Sequence, residues 1–280
     1  MATVEKGTLY VCATPIGNLG DITLRVLEVL RDADVIAAED TRHSRKLLEH
    51  FGIKTPLTSY HQHNEKGKAQ ELVHRLQGGE VIALISDAGM PGISDPGQEV
   101  IRLCLSEHVP VDVLPGPNAG LTALVLSGLP NDHFIFHGFL PSTKSARKRE
   151  IKGYAKLPFT QIFYEAPHRL VDTLTDLLEV CGDREAVVVR ELTKLHQTVH
   201  RGTLESLKVE FQAIPPRGEI CVLLAPYEEE PVQGGPVEWR EEVEEGIHQG
   251  LQPKEAMKRV AQKYGISKRE VYQATLDRKE

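Results

Sequence analysis

The chain has 280 residues, 40% of them hydrophobic and 26% charged, with a formal net charge of −7. That length suits two modest domains better than one core. The negative balance argues against a protein that coats nucleic acid with its whole surface. No run of about 18 apolar residues is present to span a membrane, and residues 1–7 lack the apolar stretch of a secretory signal. Cys12, Cys104, Cys181 and Cys221 are far apart and form no C-x-x-C pair. We therefore expect a reducing cytoplasm and no structural zinc.

Short β-branched runs recur with helical patterns between them, as in a βαβ sheet. In the first half, Thr8–Ala13, Val35–Ala38, Val81–Ser86 and Val111–Leu114 read as strands. They are apolar throughout, as expected of parallel strands covered on both faces. Thr23–Ala33, Ser44–Phe51 and Lys66–Leu76 carry apolar residues at helical spacing. Leu121–Ser127 is an apolar helix, and Gly, Pro and Asn cluster around Ser127–Asp132, where the two halves join. Beyond it Phe134–Phe136, Thr160–Tyr164, Val187–Arg190 and Ile220–Ala225 read as strands, with His168–Val180 and Thr203–Phe211 as helices. The resulting division is an αβ domain over 1–128, a second over 129–228, an acidic linker over 229–236 and a helical tail over 237–280. Ala256–Leu276 reads as two amphipathic helices broken at Gly265, either a plain αα-hairpin or a helix-turn-helix.

Ligands of parallel αβ sheets bind beyond the carboxyl ends of the strands, so the loops there carry the functional signal. The first is Thr14-Pro15-Ile16-Gly17-Asn18-Leu19-Gly20-Asp21, which lacks both the dinucleotide fingerprint and the P-loop spacing. The next, Ser86-Asp87-Ala88-Gly89-Met90-Pro91-Gly92-Ile93-Ser94-Asp95-Pro96-Gly97, has more Gly, Pro and Asp than a connector needs. Such residues hold an unusual backbone path at fixed shape, with Asp87 placed to accept hydrogen bonds from a ligand. In Leu114-Pro115-Gly116-Pro117-Asn118-Ala119-Gly120, Asn118 either caps the following helix or leaves its backbone N–H groups to a ligand. Polar clusters occur at Glu39-Asp40-Thr41-Arg42-His43, His61-Gln62-His63-Asn64-Glu65 and Tyr164-Glu165-Ala166-Pro167-His168-Arg169. His61 and His63 alone make a weak metal site, and no G-x-S-x-G or H-E-x-x-H is present.

Taken together with Gly138-Phe139-Leu140-Pro141 and Arg190-Glu191-Leu192-Thr193-Lys194, these loops resemble the 16S ribosomal RNA (cytidine-2′-O)-methyltransferases. That is the ribosomal small-subunit methyltransferase I family of the tetrapyrrole-methylase superfamily. The likeness runs in order from about Gly7 to Ala225. It implies an α/β fold of two αβα domains with a cofactor cleft between them, a homodimer, and S-adenosylmethionine as methyl donor. The acceptor it implies is a cytidine ribose of 16S rRNA in the small ribosomal subunit, with no membrane involved. The family's cofactor loops carry over to Pro15, Asp87, Met90, Gly116, Asn118, Ala119, Tyr164 and Glu165. The family often has Thr where Met90 stands and Ser where Asn118 stands.

A ribose hydroxyl is a weak acid, so a base, or a group stabilising the developing alkoxide, should sit near it. Glu39, Asp40, Arg42 and His61 are the candidates, either as an acid of the Glu39–Asp40 pair acting with Arg42 or as a structural pair. Lys144, Arg147, Lys148, Arg149 and Lys152, against the single acid Glu150, are the candidate RNA-binding segment, with Lys258, Arg259, Lys263, Lys268 and Arg269 of the tail as a second. Two rival functions keep part of this picture. One is the same fold acting on a tetrapyrrole or corrinoid precursor or a protein. The other is a ligand-sensing, nucleic-acid-binding protein without turnover.

Overall fold

The computed structural model describes residues 4–228 and 234–276. In its first half the strands are β1 (Leu9–Cys12), β2 (Val35–Ala38), β3 (Leu57–Ser59), β4 (Ile82–Ile85) and β5 (Val111–Leu114), in sheet order β3-β2-β4-β1-β5. All neighbours are parallel, as their uninterrupted apolar runs require. Because side chains alternate across a strand, β1 divides its own residues. Tyr10 and Cys12 pack with Val26, Val29 and Leu30 of α1 (Leu24–Asp32) and Leu48 of α2 (Thr41–His50). Leu9 and Val11 face Leu72 and Leu76 of α3 (Glu65–Gln77) and Val100 and Cys104 of α4 (Gln98–Ser106). Each such fully buried aliphatic side chain contributes about 1.5–3 kcal/mol. The sequence reading passed over β3 and α4. β3 is three residues long and only partly buried, and the helical stripe of α4 is short.

The second sheet holds β6 (Phe134–Phe139), β7 (Thr160–Glu165), β8 (Glu185–Arg190), β9 (Thr198–Thr203) and β10 (Ile220–Leu224), in order β6-β7-β10-β8-β9. Only β6 and β7 run parallel; the other three pairings are antiparallel. The two halves thus share a rhythm without sharing a topology. The polar strand β9, at the edge, was missed because its alternation is weak.

One face of this sheet is covered by α6 (Lys144–Tyr154), α7 (Leu170–Cys181) and α8 (Leu204–Ala213). The other face receives Ala123 and Leu124 of α5 (Ala119–Ser127), together with Ile16 from the loop after β1. A helix from the first half therefore seals the second sheet, and the ends of β1, β4 and β5 are brought against β7, β8 and β10.

The described residues fall into two compact units, divided between Tyr227 and Glu228. Most of the acidic linker read over 229–236 lies outside the described residues, and Pro236 already belongs to the next helix. Among the described residues the tail holds α9 (Pro236–His248) ahead of the two helices read over Ala256–Leu276, which are α10 (Pro253–Tyr264) and α11 (Lys268–Leu276). Gly265 ends α10 in the left-handed conformation, at φ 63°, and Val243, Val260 and Val271 are buried together. No helix among the described residues is long and apolar enough to cross a membrane.

Candidate active site

Where the two sheets meet, the strand-end loops enclose a cavity of about 330 Å³. Met90 and Asp95 reach it from the loop after β4, Asn118 and Ala119 from the start of α5, and Tyr164 from β7. Ile16, Val189, Leu192 and Cys221 supply apolar wall. Among the described residues its lining includes Asp95, Glu165 and Glu219 and no Lys, Arg or His. Backbone strain gathers at its rim. Ser94, with φ 64°, lines it, and Glu191 and Thr193, with φ 51° and 65°, flank the lining residue Leu192. Such conformations cost about 1–3 kcal/mol each and concentrate at ligand sites.

The individual groups divide between contact and scaffold. Asn118 accepts from the backbone N–H of Leu121 at 2.9 Å and so caps α5, while still facing the cavity. The Tyr164 hydroxyl accepts from the N–H of Gly120 at 3.1 Å. Burial pushes that hydroxyl up to about 12, so it stays protonated. The Glu165 carboxylate is already committed, to the Ala166 N–H at 2.8 Å, the Thr173 hydroxyl and Arg169 at 3.4 Å. It is a structural anchor rather than a free ligand group. Gly116 does not line the cavity. A Cβ there would sit 2.8 Å from that of Ala13, so this glycine lets the loop press against the end of β1.

Pro15 and Asp87 face a second cavity, of about 260 Å³, with Thr14, Gly17, His43, Lys46 and Leu47 among its lining. The wall between the two cavities is thin. Thr14 and Gly89 exchange backbone hydrogen bonds of 2.8 and 3.1 Å; Thr14, Pro15, Gly17, Ser86 and Asp87 line the second cavity, and Ile16, Ala88, Gly89 and Met90 line the first.

At the edge of this wall lies a group of carboxylates. Glu39 accepts from the backbone N–H of Asp87, and Asp87 Oδ1 accepts from the N–H of Asp40 at 3.1 Å. Burial raises the Glu39 pKa above the ordinary carboxylate range, and the nearby Asp87 raises it further. His61, close enough to act on Glu39, opposes that rise. Asp95 is pushed up to about 7, first by burial and then by Glu39, with a hydrogen bond from Ser86 offsetting part of the rise. No ion pair neutralises Asp95 among the described residues. The sequence reading quoted Asp95 within its loop without giving it a role, since nothing local marks it off from Asp87.

Asp40 and Arg42 behave otherwise. Asp40 caps α2 by accepting from the Arg42 N–H at 2.8 Å and forms a forked pair with the Arg42 guanidinium. That pairing holds its carboxyl well below the usual range, which makes it a poor base.

The segment Lys144–Lys152 forms α6 and lines neither cavity. Arg147 is buried against Asp176. Lys144 lies near Asp176 and Glu179, and Lys148 is paired with Glu179. Three of the five cations expected to hold RNA are thus engaged by acids of α7. Of these five, Arg149 and Lys152 are the ones that stand exposed without an ion pair among the described residues. In the tail, Lys263 is likewise engaged, by Glu242.

Comparison with known proteins gives a consistent picture. The sequence model of the tetrapyrrole (corrin/porphyrin) methylases matches residues 8–208. The ribosomal RNA small subunit methyltransferase I of Synechocystis sp. is 45% identical over 273 residues, covering 97% of this chain and 98% of that one. The protein of the same name from Halalkalibacterium halodurans is 46% identical, covering 96% and 94%. Among solved structures, diphthine synthase superposes with a TM-score of 0.61 at 17% identity, covering 78% of this chain and 89% of that one. The uroporphyrin-III C-methyltransferase of Thermus thermophilus complexed with S-adenyl homocysteine gives 0.56 at 19%, covering 78% and 97%.

Proposed function

This chain belongs to the tetrapyrrole (corrin/porphyrin) methylase family, and we propose that it transfers a methyl group from S-adenosylmethionine to a cytidine ribose 2′-hydroxyl of the small-subunit ribosomal RNA. The enzyme class rests on the relatives named ribosomal RNA small subunit methyltransferase I, which span nearly the whole chain, and the donor on the methylase family and the S-adenyl homocysteine complex of the same fold. The observation that carries the reading is the chemistry of the larger cavity. Its lining is mostly apolar, with carboxylates and no basic side chain. Such a surface suits a ligand with a flat aromatic part and net positive charge, and disfavours an anionic dinucleotide.

The cavity's residues fit the donor. When bound, S-adenosylmethionine supplies a methyl group already activated by its sulfonium leaving group. Met90, Asn118, Ala119 and Tyr164 form the walls that hold it, with Glu165 bracing the Tyr164 end from beneath. Holding donor and acceptor in line contributes several kcal/mol of barrier lowering. We assign proton removal to Asp95, which faces the cavity and is the carboxylate there without a cationic partner. A base near pH 7 matches the working range and adds about 10²–10⁴-fold. Glu39 and Asp87 act on Asp95 through their charge. Asp40 and Arg42 position α2.

Homodimerisation is part of the proposal. It is supported by Leu121 and Val125, which lie 50% and 75% exposed on the side of α5 away from the second sheet. The four free cysteines, three of them buried, suit the cytoplasm, where we place the reaction.

The test is transfer of labelled methyl groups to small ribosomal subunits from a strain lacking the gene. Label recovered in a 2′-O-methylcytidine, and lost with Asp95→Asn, supports donor, acceptor and base together. Donor binding without labelled RNA would overturn the ribosomal acceptor and favour a tetrapyrrole or protein. Label on a base would overturn the ribose assignment alone.

A further inference from the structure

The second cavity shares its wall with the donor cavity, yet the donor reading leaves it unused. Thr14, Pro15 and Gly17 face it where Ile16 faces the donor side, and Asp87 faces it where Ala88 and Met90 do not. Its mouth is bounded by α2 through His43, Lys46 and Leu47.

α2 also carries unspent positive charge. Arg42 is held by Asp40, but Arg45 and Lys46 are exposed and have no ion pair among the described residues. Glu49 is the one acid in Thr41–His50. Residues three and four apart share a helix face, so Arg42, Arg45, Lys46 and Glu49 form one stripe. Lys46 lies both on that stripe and in the cavity lining. The contrast with α6 is direct, since three of its five cations are engaged by Asp176 or Glu179.

Resting on the methyltransferase reading, we propose that a single-stranded segment of the acceptor RNA runs along the exposed face of α2. Its phosphates pair with Arg45 and Lys46, and one nucleotide enters the second cavity. Enzymes that modify a nucleotide take it out of the stack or act on an unpaired strand, and unpaired bases rest on aromatic and apolar side chains. The His43 ring, Pro15 and Leu47 provide those surfaces. The nucleotide held here is a neighbour of the reacting one, whose own ribose reaches the donor cavity, where Asp95 lies. Phosphate contacts of this kind position the strand and carry no sequence information. The orientation of the nucleotide therefore rests with the cavity.

The experiment compares wild type, Arg45→Ala/Lys46→Ala and Arg149→Ala/Lys152→Ala. All four positions are exposed, so neither double variant should disturb folding, and thermal melting checks this. Binding of small subunits is measured across a salt series, beside S-adenosylmethionine affinity and methyl transfer. Loss of two single-strand phosphate contacts should lower the slope of log affinity against log salt by about 1.4. The α2 variant should show that change, a raised KM for subunits and unchanged donor affinity, while the α6 variant keeps the wild-type slope. A wild-type slope and KM in the α2 variant would overturn the proposal, as would their loss in the α6 variant alone. A fall in donor affinity in the α2 variant would overturn it too, because α2 would then serve the donor cavity. If wild type methylates subunits and the α2 variant does so equally well, only the RNA path fails. If wild type transfers no methyl group to subunits, the methyltransferase reading fails and takes this path with it.

Discussion

The guanidinium of Arg147 lies 2.7 Å from the Asp176 carboxylate, with only 4% and 1% of the two side chains exposed. Arg147 also donates to the Ser142 carbonyl at 3.2 Å, so one side chain ties α6 to α7 and to the loop before it. Removing one partner of a buried pair leaves the other charge uncompensated. Arg147→Ala should therefore cost about 3–5 kcal/mol of stability. The salt dependence of RNA binding by the folded fraction should stay as in wild type. Urea melts and a salt titration on the same preparation check both, and an altered salt slope would return Arg147 to the RNA surface.

With Asp95 as the proposed base, its protonation governs the expected pH behaviour. A base must be deprotonated to act, so kcat/KM should rise as pH passes through about 7 and level off above it. Asp95→Asn should remove both the rise and most of the rate. Stability moves in the opposite sense. The folded-state value is raised above the unfolded one, so neutral Asp95 favours the fold at low pH, and that support fades as pH climbs through the folded value. Asp95→Asn should match the wild-type Tm near pH 4 and exceed it above about pH 7. Equal Tm values across that range would remove the buried-carboxylate account.

Gly116 tests the fit of a loop rather than a contact. The added methyl of Gly116→Ala would meet the Ala13 side chain at 2.8 Å. Overpacking of this kind costs about 1–3 kcal/mol. Since Asn118 and Ala119 follow directly, donor affinity should fall as well. Isothermal titration alongside thermal melting separates the two effects, and full affinity with lowered Tm would limit Gly116 to the scaffold.

Ala119 lines the cavity proposed for the donor, at the first turn of α5. A large ring at this position should occupy the space without breaking the Asn118 cap. Ala119→Trp should weaken S-adenosylmethionine binding about tenfold or more, ~1.4 kcal/mol, with little change in Tm. Unaltered binding by calorimetry would place the donor elsewhere.

Asp40 and Arg42 are expected to matter for α2 and not for proton transfer. Asp40→Ala should lower the urea midpoint without changing m, and Asp40→Asn should restore it, because asparagine caps as well as aspartate. The pH profile of methyl transfer should keep its shape in both variants. A profile shifted in Asp40→Asn would make Asp40 the base after all.

Much of the fold could be read along the chain because its physics is local. Uninterrupted runs such as Val35–Ala38 marked strands covered on both faces, and dense Gly, Pro and Asp after Ser86 marked a shaped loop. Resemblance across those loops led to the family, since their spacing is fixed by what the backbone must wrap. The antiparallel pairing of β7, β10, β8 and β9 was not legible, because an apolar strand reads alike in either direction. Nor was the first helix of the tail, α9, which is rich in glutamate and has few apolar residues to mark a buried face.

Charge was the quantity the sequence described least well. By itself it determined that Lys144–Lys152 is basic and that Asp95 and Asp87 share a loop. Only the tertiary structure decided that Asp176 and Glu179, some 30 residues on, engage three of those cations, and that Asp95 is half-buried beside Glu39 while Asp40 pairs with Arg42. The physical reason is that composition and local conformation follow from neighbours in the chain. The state of a charge follows instead from desolvation and from partners brought close by folding.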